Sequence, residues 1–281
     1  VSKIKIVTDS SVQLSDDEIK KHNITIVPLT ITIDGQSYVD GVDIDRETFV
    51  KKMKESEDLP KTSQPPIGLF AETFESLTAD GSELLVLTMT KSLSGTVDSA
   101  RQAAEMVNPD KIHVVDSTFI DRALAFQILE AAEALEAGKS LEEVLVIIDK
   151  VRKNTQLQLV VVNLDNLIKG GRLGKVTGRI ATMLNIKAIL EVKDSNLDIV
   201  GRGRGQKVVK QFISDRLDKI KNENVKSIGI SYVDIKNQMD ELKDQIHEIK
   251  PNVPILSYET TPVVATHTGL GAFAITYYTE D

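Results

Sequence analysis

Strand and helix signals alternate along the 281 residues, which predicts an α/β protein. Three observations carry that expectation. Apolar runs such as Leu84–Met89 and Leu157–Asn163 have the composition of strands buried on both faces. Helix-start signatures fall between such runs, among them Ser15-Asp16-Asp17-Glu18, which reads as a capping box. The length exceeds the roughly 100–200 residues of one ordinary domain, so two packed α/β domains with mainly parallel sheets are expected, over residues 1–156 and 157–281.

The elements follow in order. Ile4–Thr8 is a first strand ending at Asp9-Ser10-Ser11. Ile24–Ile33 is β-branched but interrupted by Pro28, which predicts an edge strand or two short pieces. Asp45 can cap a helix reaching Glu55. After the Leu84–Met89 strand, Ser94 to Val107 reads as a helix and Ile112–Val115 as a strand. Arg122–Ala137 and Leu141–Arg152 have helical apolar spacing, split by Gly138 with Ser140 as the next cap. In the second half Val176–Leu184 reads as helical. Ala188–Val192 and Leu197–Val200 form a hairpin across Asp194-Ser195-Asn196. Val208–Ile220 and Lys236–Ile249 are amphipathic helices, and Val225–Tyr232, Pro254–Tyr258 and Ala272–Tyr278 are strands.

Composition excludes several classes of function. The net charge is −8, which argues against general nucleic-acid binding, since that needs a strong basic field. The absence of Cys removes disulfides, thiolate nucleophiles, iron–sulfur clusters and cysteine-ligated zinc. The four His, at 22, 113, 247 and 267, show no metal-ligand spacing, so no metal is expected. His22, beside Lys20 and Lys21, and His247, on a polar helix, read as surface residues. The longest apolar run, Val144 to Ile148, is five residues, too short to cross a bilayer. No signal-peptide pattern opens the sequence, and a cytoplasmic protein is expected.

Ligands of open α/β sheets sit beyond the carboxyl ends of the strands, so the segments there deserve the closest reading. They are rich in hydroxyls: Thr8-Asp9-Ser10-Ser11, Lys61-Thr62-Ser63-Gln64-Pro65, Ser92-Leu93-Ser94-Gly95-Thr96, Asp116-Ser117 and the stretch from Thr260 to Gly269. Such groups suit anchoring a carboxylate or phosphate better than breaking bonds. Plainer roles stay open for each. Thr62, Ser63 and Ser94 could cap helices, Asp9 could organise a loop, and Asp116-Ser117 could start a helix. His267 could be a structural loop histidine or a donor to an anionic head group. Residues 166–190 and 199–214 contain no acid and hold Lys169, Arg172, Lys175, Arg179, Lys187, Arg202, Arg204, Lys207 and Lys210. This is either a solvated basic surface or a site for a phosphorylated group or acidic partner. Gly269-Leu270-Gly271-Ala272-Phe273-Ala274 mimics a dinucleotide fingerprint but lacks the βαβ context, and Gly201–Gly205 lacks the Lys-Ser/Thr of a phosphate loop.

Taken together, Thr8-Asp9-Ser10, Lys61–Pro65, Ser92–Thr96, Val115-Asp116-Ser117, Lys169–Arg172 and Thr261–Gly269 resemble, in order and across nearly the whole chain, the DegV family of bacterial fatty-acid-binding proteins. The resemblance implies a two-domain α/β carrier that is not itself an enzyme and uses no cofactor. It would hold one long-chain fatty acid such as palmitate, stearate or oleate in an apolar tunnel. Thr62 or Ser63, Ser94 with Gly95, and Thr266 with His267 would meet the carboxylate. It also implies a separate ATP-dependent fatty acid kinase that makes an acyl phosphate for phospholipid synthesis, with Arg172, Arg202 and Arg204 meeting the kinase or the phosphate. The rival reading is a serine hydrolase or acyltransferase with Ser94 as nucleophile, His267 as base and Asp9 or Asp116 as the acid, although the sequence lacks a G-x-S-x-G elbow. A third is a scaffold whose lipid is only structural.

Overall fold

The structure, a computed structural model, describes residues 3–173 and 186–280. The expected helix Val176–Leu184, with Lys175 and Arg179, lies outside the described residues. The first half contains β1 (Ile4–Asp9), α1 (Asp16–Lys21), β2 (Thr25–Val27), β3 (Thr30–Ile33), β4 (Gln36–Val39), α2 (Arg46–Glu55), β5 (Lys61–Ser63) and α3 (Ile67–Thr78). It continues with β6 (Glu83–Thr88), α4 (Thr96–Val107), β7 (Ile112–Asp116), α5 (Asp121–Glu136) and α6 (Leu141–Lys153). The second half contains β8 (Thr155–Val161), α7 (Asp165–Lys169), β9 (Ile186–Lys193), β10 (Asn196–Arg204), α8 (Gly205–Asn222), β11 (Val225–Tyr232), α9 (Lys236–Ile249), β12 (Ile255–Glu259), α10 (Pro262–Thr268) and β13 (Phe273–Thr279).

Local chemistry sets many of these boundaries. Ser15 with Glu18, and Ser140 with Glu143, form complete capping boxes, and Asp45 accepts from the Thr48 N–H at 2.7 Å. Pro28 splits its run into β2 and β3, which join different sheets. Asp194 and Ser195 adopt positive φ of 48° and 65°, the geometry of a tight turn between β9 and β10.

The fold is α/β, and its first sheet, ordered β2-β1-β6-β7, is parallel throughout. The second, ordered β10-β9-β8-β13-β11-β12, is mixed, and only β11–β12 pairs in parallel. The expectation of mainly parallel sheets therefore holds for the first sheet alone. A tight hairpin forces β9 and β10 antiparallel, and β13 inserts antiparallel to both neighbours, between β8 and β11. A small antiparallel sheet, β4-β3-β5, shares a core with Val233, Ala265 and Ala272 of the second half.

Helix α5 lies between the two larger sheets. Leu124, Ala125, Ile128 and Ala131 pack with Ile6, Leu85 and Leu87 of the first sheet. Ala123 packs with Leu157, Leu159, Val192 and Ala274 of the second. A helix apolar on both sides must be buried on both sides. Its amino end is fastened by polar groups. Arg122 donates to the two carboxylate oxygens of Glu18 at 2.8 and 2.9 Å and to the Gln13 carbonyl at 3.0 Å. Asp121 accepts from Ser231 Oγ at 2.5 Å and from Thr260 Oγ1 at 3.0 Å. Nearby, Arg46 donates to the Glu259 carbonyl at 2.6 Å and to Gln13 Oε1, tying α2 to the end of β12.

One surface assignment fails. The His22 side chain is only 2% exposed, and its Nδ1 lies 2.8 Å from Glu136 Oε1 at the far end of α5. The adjacent lysines in the sequence hid the fact that the helix turn points this ring inward.

Glu18→Ala should cost about 3 kcal/mol, because it leaves the buried Arg122 guanidinium without its counter-charge. Arg122→Met should cost less, since the freed Glu18 carboxylate, 24% exposed, can take up water. Urea denaturation of the two variants checks the order.

Candidate functional site

Beyond the carboxyl ends of β6 and β7, between the face of the second sheet and the loops of the first, is an apolar cavity with about 70 Å³ of free volume. Leu157, Leu159, Val192, Leu197 and Ala274 supply the sheet wall. Leu29, Met89, Leu93 and Ile120 come from the opposite loops, Leu167 from α7, and Val263 and Val264 from α10. A smaller chamber adjoins it and shares Asp121, Leu159, Val264, Thr268 and Ala274.

Thr62, Ser94, Asp121, Arg172, His267 and Thr268 join this apolar lining as polar groups, and four of them, Thr62, Ser94, Arg172 and His267, lie outside the part shared with the adjoining chamber. Thr62 is brought there by β5, where it pairs with Ile31. This replaces its possible cap role: the cap position of α3 is Pro66, and no side chain caps that helix. His267 stands on the last turn of α10 and not in a loop. Thr261 caps that helix, accepting from the Val264 N–H at 3.4 Å, and Pro262 opens it. Thr62 Oγ1 and His267 Nε2 lie 2.8 Å apart, and His267 Nδ1 is buried with no hydrogen-bond partner among the described residues. The ring lies so close to α7 that a Cβ at Gly170 would come within 2.7 Å of Nδ1. Asn166 ties the same two helices together by donating to the Thr266 carbonyl at 2.9 Å.

Burial, with a smaller effect from the neighbouring Arg172 cation, lowers the His267 pKa from 6.5 to about 4. The ring is therefore neutral at pH 7. Arg172 is half-buried, and desolvation lowers its pKa. Its Nε donates to the Leu93 carbonyl at 3.2 Å and its Nη1 to the Gly170 carbonyl at 2.5 Å. Among the described residues no carboxylate forms a salt bridge with it. A guanidinium has five N–H donors, so donors and charge remain for an anion.

The other residues singled out in the sequence sit differently. Ser94 Oγ lies 2.9 Å from Thr96 Oγ1 and accepts from the Thr96 N–H at 3.3 Å, just before α4, whose cap position is Gly95. Ser63 is exposed on β5. Thr266 is buried and turns its hydroxyl back to the Pro262 carbonyl at 2.8 Å. Arg202 and Arg204 are exposed on β10 and do not line the cavity. Asp9 organises a loop: its oxygens accept from the Ser11 and Met89 N–H groups at 2.8 and 2.7 Å. Asp116 accepts from the Thr118 N–H at 2.9 Å. Asn166 and the cavity leucines were not singled out, because their sequence pattern is that of ordinary packing.

An α/β protein whose two halves enclose an apolar pocket with hydroxyls, a neutral imidazole and a cation in its wall is the class defined so far. The chain belongs to the DegV family: the family model described as "Uncharacterised protein, DegV family" matches residues 3–280. A DegV domain-containing protein of Streptococcus pneumoniae is 42% identical over 275 residues, covering 98% of each chain. A DegV family protein from Thermus thermophilus, described by its fatty acid binding, superposes with a TM-score of 0.88 at 29% identity, over 99% of this chain and 100% of that one. A stearic acid-binding protein from Eubacterium ventriosum superposes with a TM-score of 0.87 at 29% identity, over 99% and 98%.

The low His267 pKa sets a pH dependence. Between about pH 4 and 6.5 the unfolded chain binds a proton at this site and the folded chain does not, so this site makes stability rise with pH across that window. His267→Gln should remove that part of the slope. In the wild type, the ring resonances should titrate near pH 4 by NMR.

Proposed function

We propose that this protein holds one long-chain fatty acid, with the acyl chain in the apolar cavity and the carboxylate at Thr62, Ser94 and His267. One observation carries the reading: an apolar cavity whose wall combines hydrogen-bonding groups with a cation, Arg172, that has no acidic partner among the described residues. The fatty acid binding described for the relatives from T. thermophilus and E. ventriosum supports it. Residues 1–156 and 157–281 act as two folding units with the ligand between them.

Each buried CH₂ contributes about 0.8 kcal/mol, so palmitate, stearate or oleate gains on the order of 10 kcal/mol gross from its chain. An ionised carboxylate leaves water only where other donors replace its hydration. The Thr62 and Ser94 hydroxyls are such donors, with the Gly95 backbone beside them. With Nε2–H donating to Thr62 Oγ1, His267 leaves the threonine O–H free to point at the carboxylate. Arg172 supplies the long-range charge. Ser63 and Thr266 contribute through backbone position.

The carrier would present the carboxylate to a separate ATP-dependent fatty acid kinase. There a carboxylate oxygen attacks the γ-phosphorus of ATP, ADP leaves, and the acyl phosphate remains for phospholipid synthesis. Arg172 would meet the new phosphate, and Arg202 and Arg204, exposed on β10, would meet the kinase. The protein itself is not the catalyst in this reading. A base with a pKa of about 4 is poorly matched to activating a serine at neutral pH, and His267 is paired with Thr62 rather than Ser94.

Denaturing the purified protein, extracting it with organic solvent and weighing the extract by mass spectrometry should release one fatty acid per chain. No released lipid and no uptake of added palmitate or oleate would overturn the carrier reading. His267→Ala should weaken binding of a fatty acid more than of its methyl ester, and equal losses would contradict its head-group role. Arg172→Ala should retain lipid but slow kinase-dependent phosphorylation, measured as acyl phosphate formed.

A further inference from the structure

We infer that Gln64 is a positioning residue that holds the Ser94 hydroxyl in register with the Thr62–His267 pair, and that residue 95 is glycine to admit its side chain. The inference rests on the fatty-acid reading and assigns a role that the reading leaves empty. Thr62 and Ser94 belong to different substructures: the first to β5 of the small sheet, the second to the turn entering α4 behind the parallel sheet. Two hydroxyls that share one carboxylate must keep their spacing to within a few tenths of an ångström.

Gln64 bridges that gap. It follows Thr62 by two residues, just past the end of β5. Thr62 reaches His267, and Gln64 reaches the first turn of α4. Its Nε2 donates to Ser99 Oγ at 2.7 Å, and Ser99 is itself 2% exposed. The same amide lies close over Gly95. A Cβ on residue 95 would sit 2.2 Å from Gln64 Oε1, 3.0 Å from Cδ and 3.1 Å from Nε2. Gly95 has φ −74° and ψ 11°, values any residue can adopt, so the backbone conformation does not call for glycine there. The close approach of Gln64 does. The amide oxygen also lies at the amino end of α4, where the helix dipole favours it. Pro65 follows Gln64 and biases its backbone toward the extended form, which limits where the side chain can start.

The obstructing atoms are the far end of a flexible side chain. Gly95→Ala should therefore evict the Gln64 amide without unfolding the protein, and so reproduce Gln64→Ala. The test is a double-mutant cycle on the full-length chain, stripped of lipid, with oleate and methyl oleate as ligands in isothermal titration calorimetry. Each single variant should bind oleate about fivefold more weakly, the scale of one part-buried hydrogen bond, with methyl oleate changed by less than about twofold. The double variant should be no weaker than either single one, because both changes remove the same contact. Midpoints of thermal unfolding without ligand should stay within about 2 °C of the wild type.

Additive losses in the double variant would overturn the inference, as would equal losses for the acid and the ester. Wild-type binding of oleate alongside an unaltered Gln64→Ala variant overturns this inference alone. Failure of the wild-type chain to bind oleate overturns it together with the fatty-acid reading.

Discussion

Everything in this molecule is arranged around the burial of α5 between the two larger sheets. A helix that is apolar on both sides cannot rest on one sheet and face water with the other side. It therefore draws the second sheet onto the first, and the cavity is the space left where the two do not quite meet. The polar groups at its amino end fix how they meet. Asp121 reaches Ser231 and Thr260 of the second half, while Arg122 reaches Glu18 and Gln13 of the first. Asp121 takes a strained backbone, φ 59°, to do so. Burial raises its pKa, and the hydroxyls of Ser231 and Thr260 oppose that shift by donating to its carboxyl oxygens.

The electrostatics of the cavity follow from the same packing. Placing His267 against α7 takes away its water and keeps the ring neutral, which makes it a hydrogen-bonding group and not a charge. The positive charge comes instead from Arg172, whose guanidinium is bound to two carbonyls and so is oriented without being neutralised. Neutral donors with a cation close by give an anion both hydrogen bonds and charge, and leave the remaining wall apolar enough for a hydrocarbon.

Much of this was legible in the sequence, because it depends on local chemistry. Ser15, Asp45 and Ser140 cap the helices that their spacing announces, and Pro28 divides the run that it interrupts. The hydroxyl-rich segments led to Thr62, Ser94 and His267, which all line the cavity. What was not legible is of two kinds. Strand β5 has three residues and α10 has seven, too few for a periodic pattern, so the sequence leaves a helix cap open for Thr62 and a loop position open for His267. Long-range pairing is the other kind. The insertion of β13 between β8 and β11, which turns the second sheet antiparallel, is decided by contacts distant in sequence. Leu157 and Leu159 alternate as any buried strand does, whether they face a cavity or a solid core.

The polar part of the cavity wall is assembled from pieces that are far apart along the chain: β5, the turn before α4, the end of α7 and the end of α10. None of these offers an anion more than one or two donors by itself. A chain in which one half has folded, or in which the halves have not docked, thus has no site at all. Any occupant of the cavity binds the completed structure and nothing before it, so by mass action it stabilises only that state. Occupancy then acts on folding as a selection for completeness: it deepens the last basin without stabilising the partial ones.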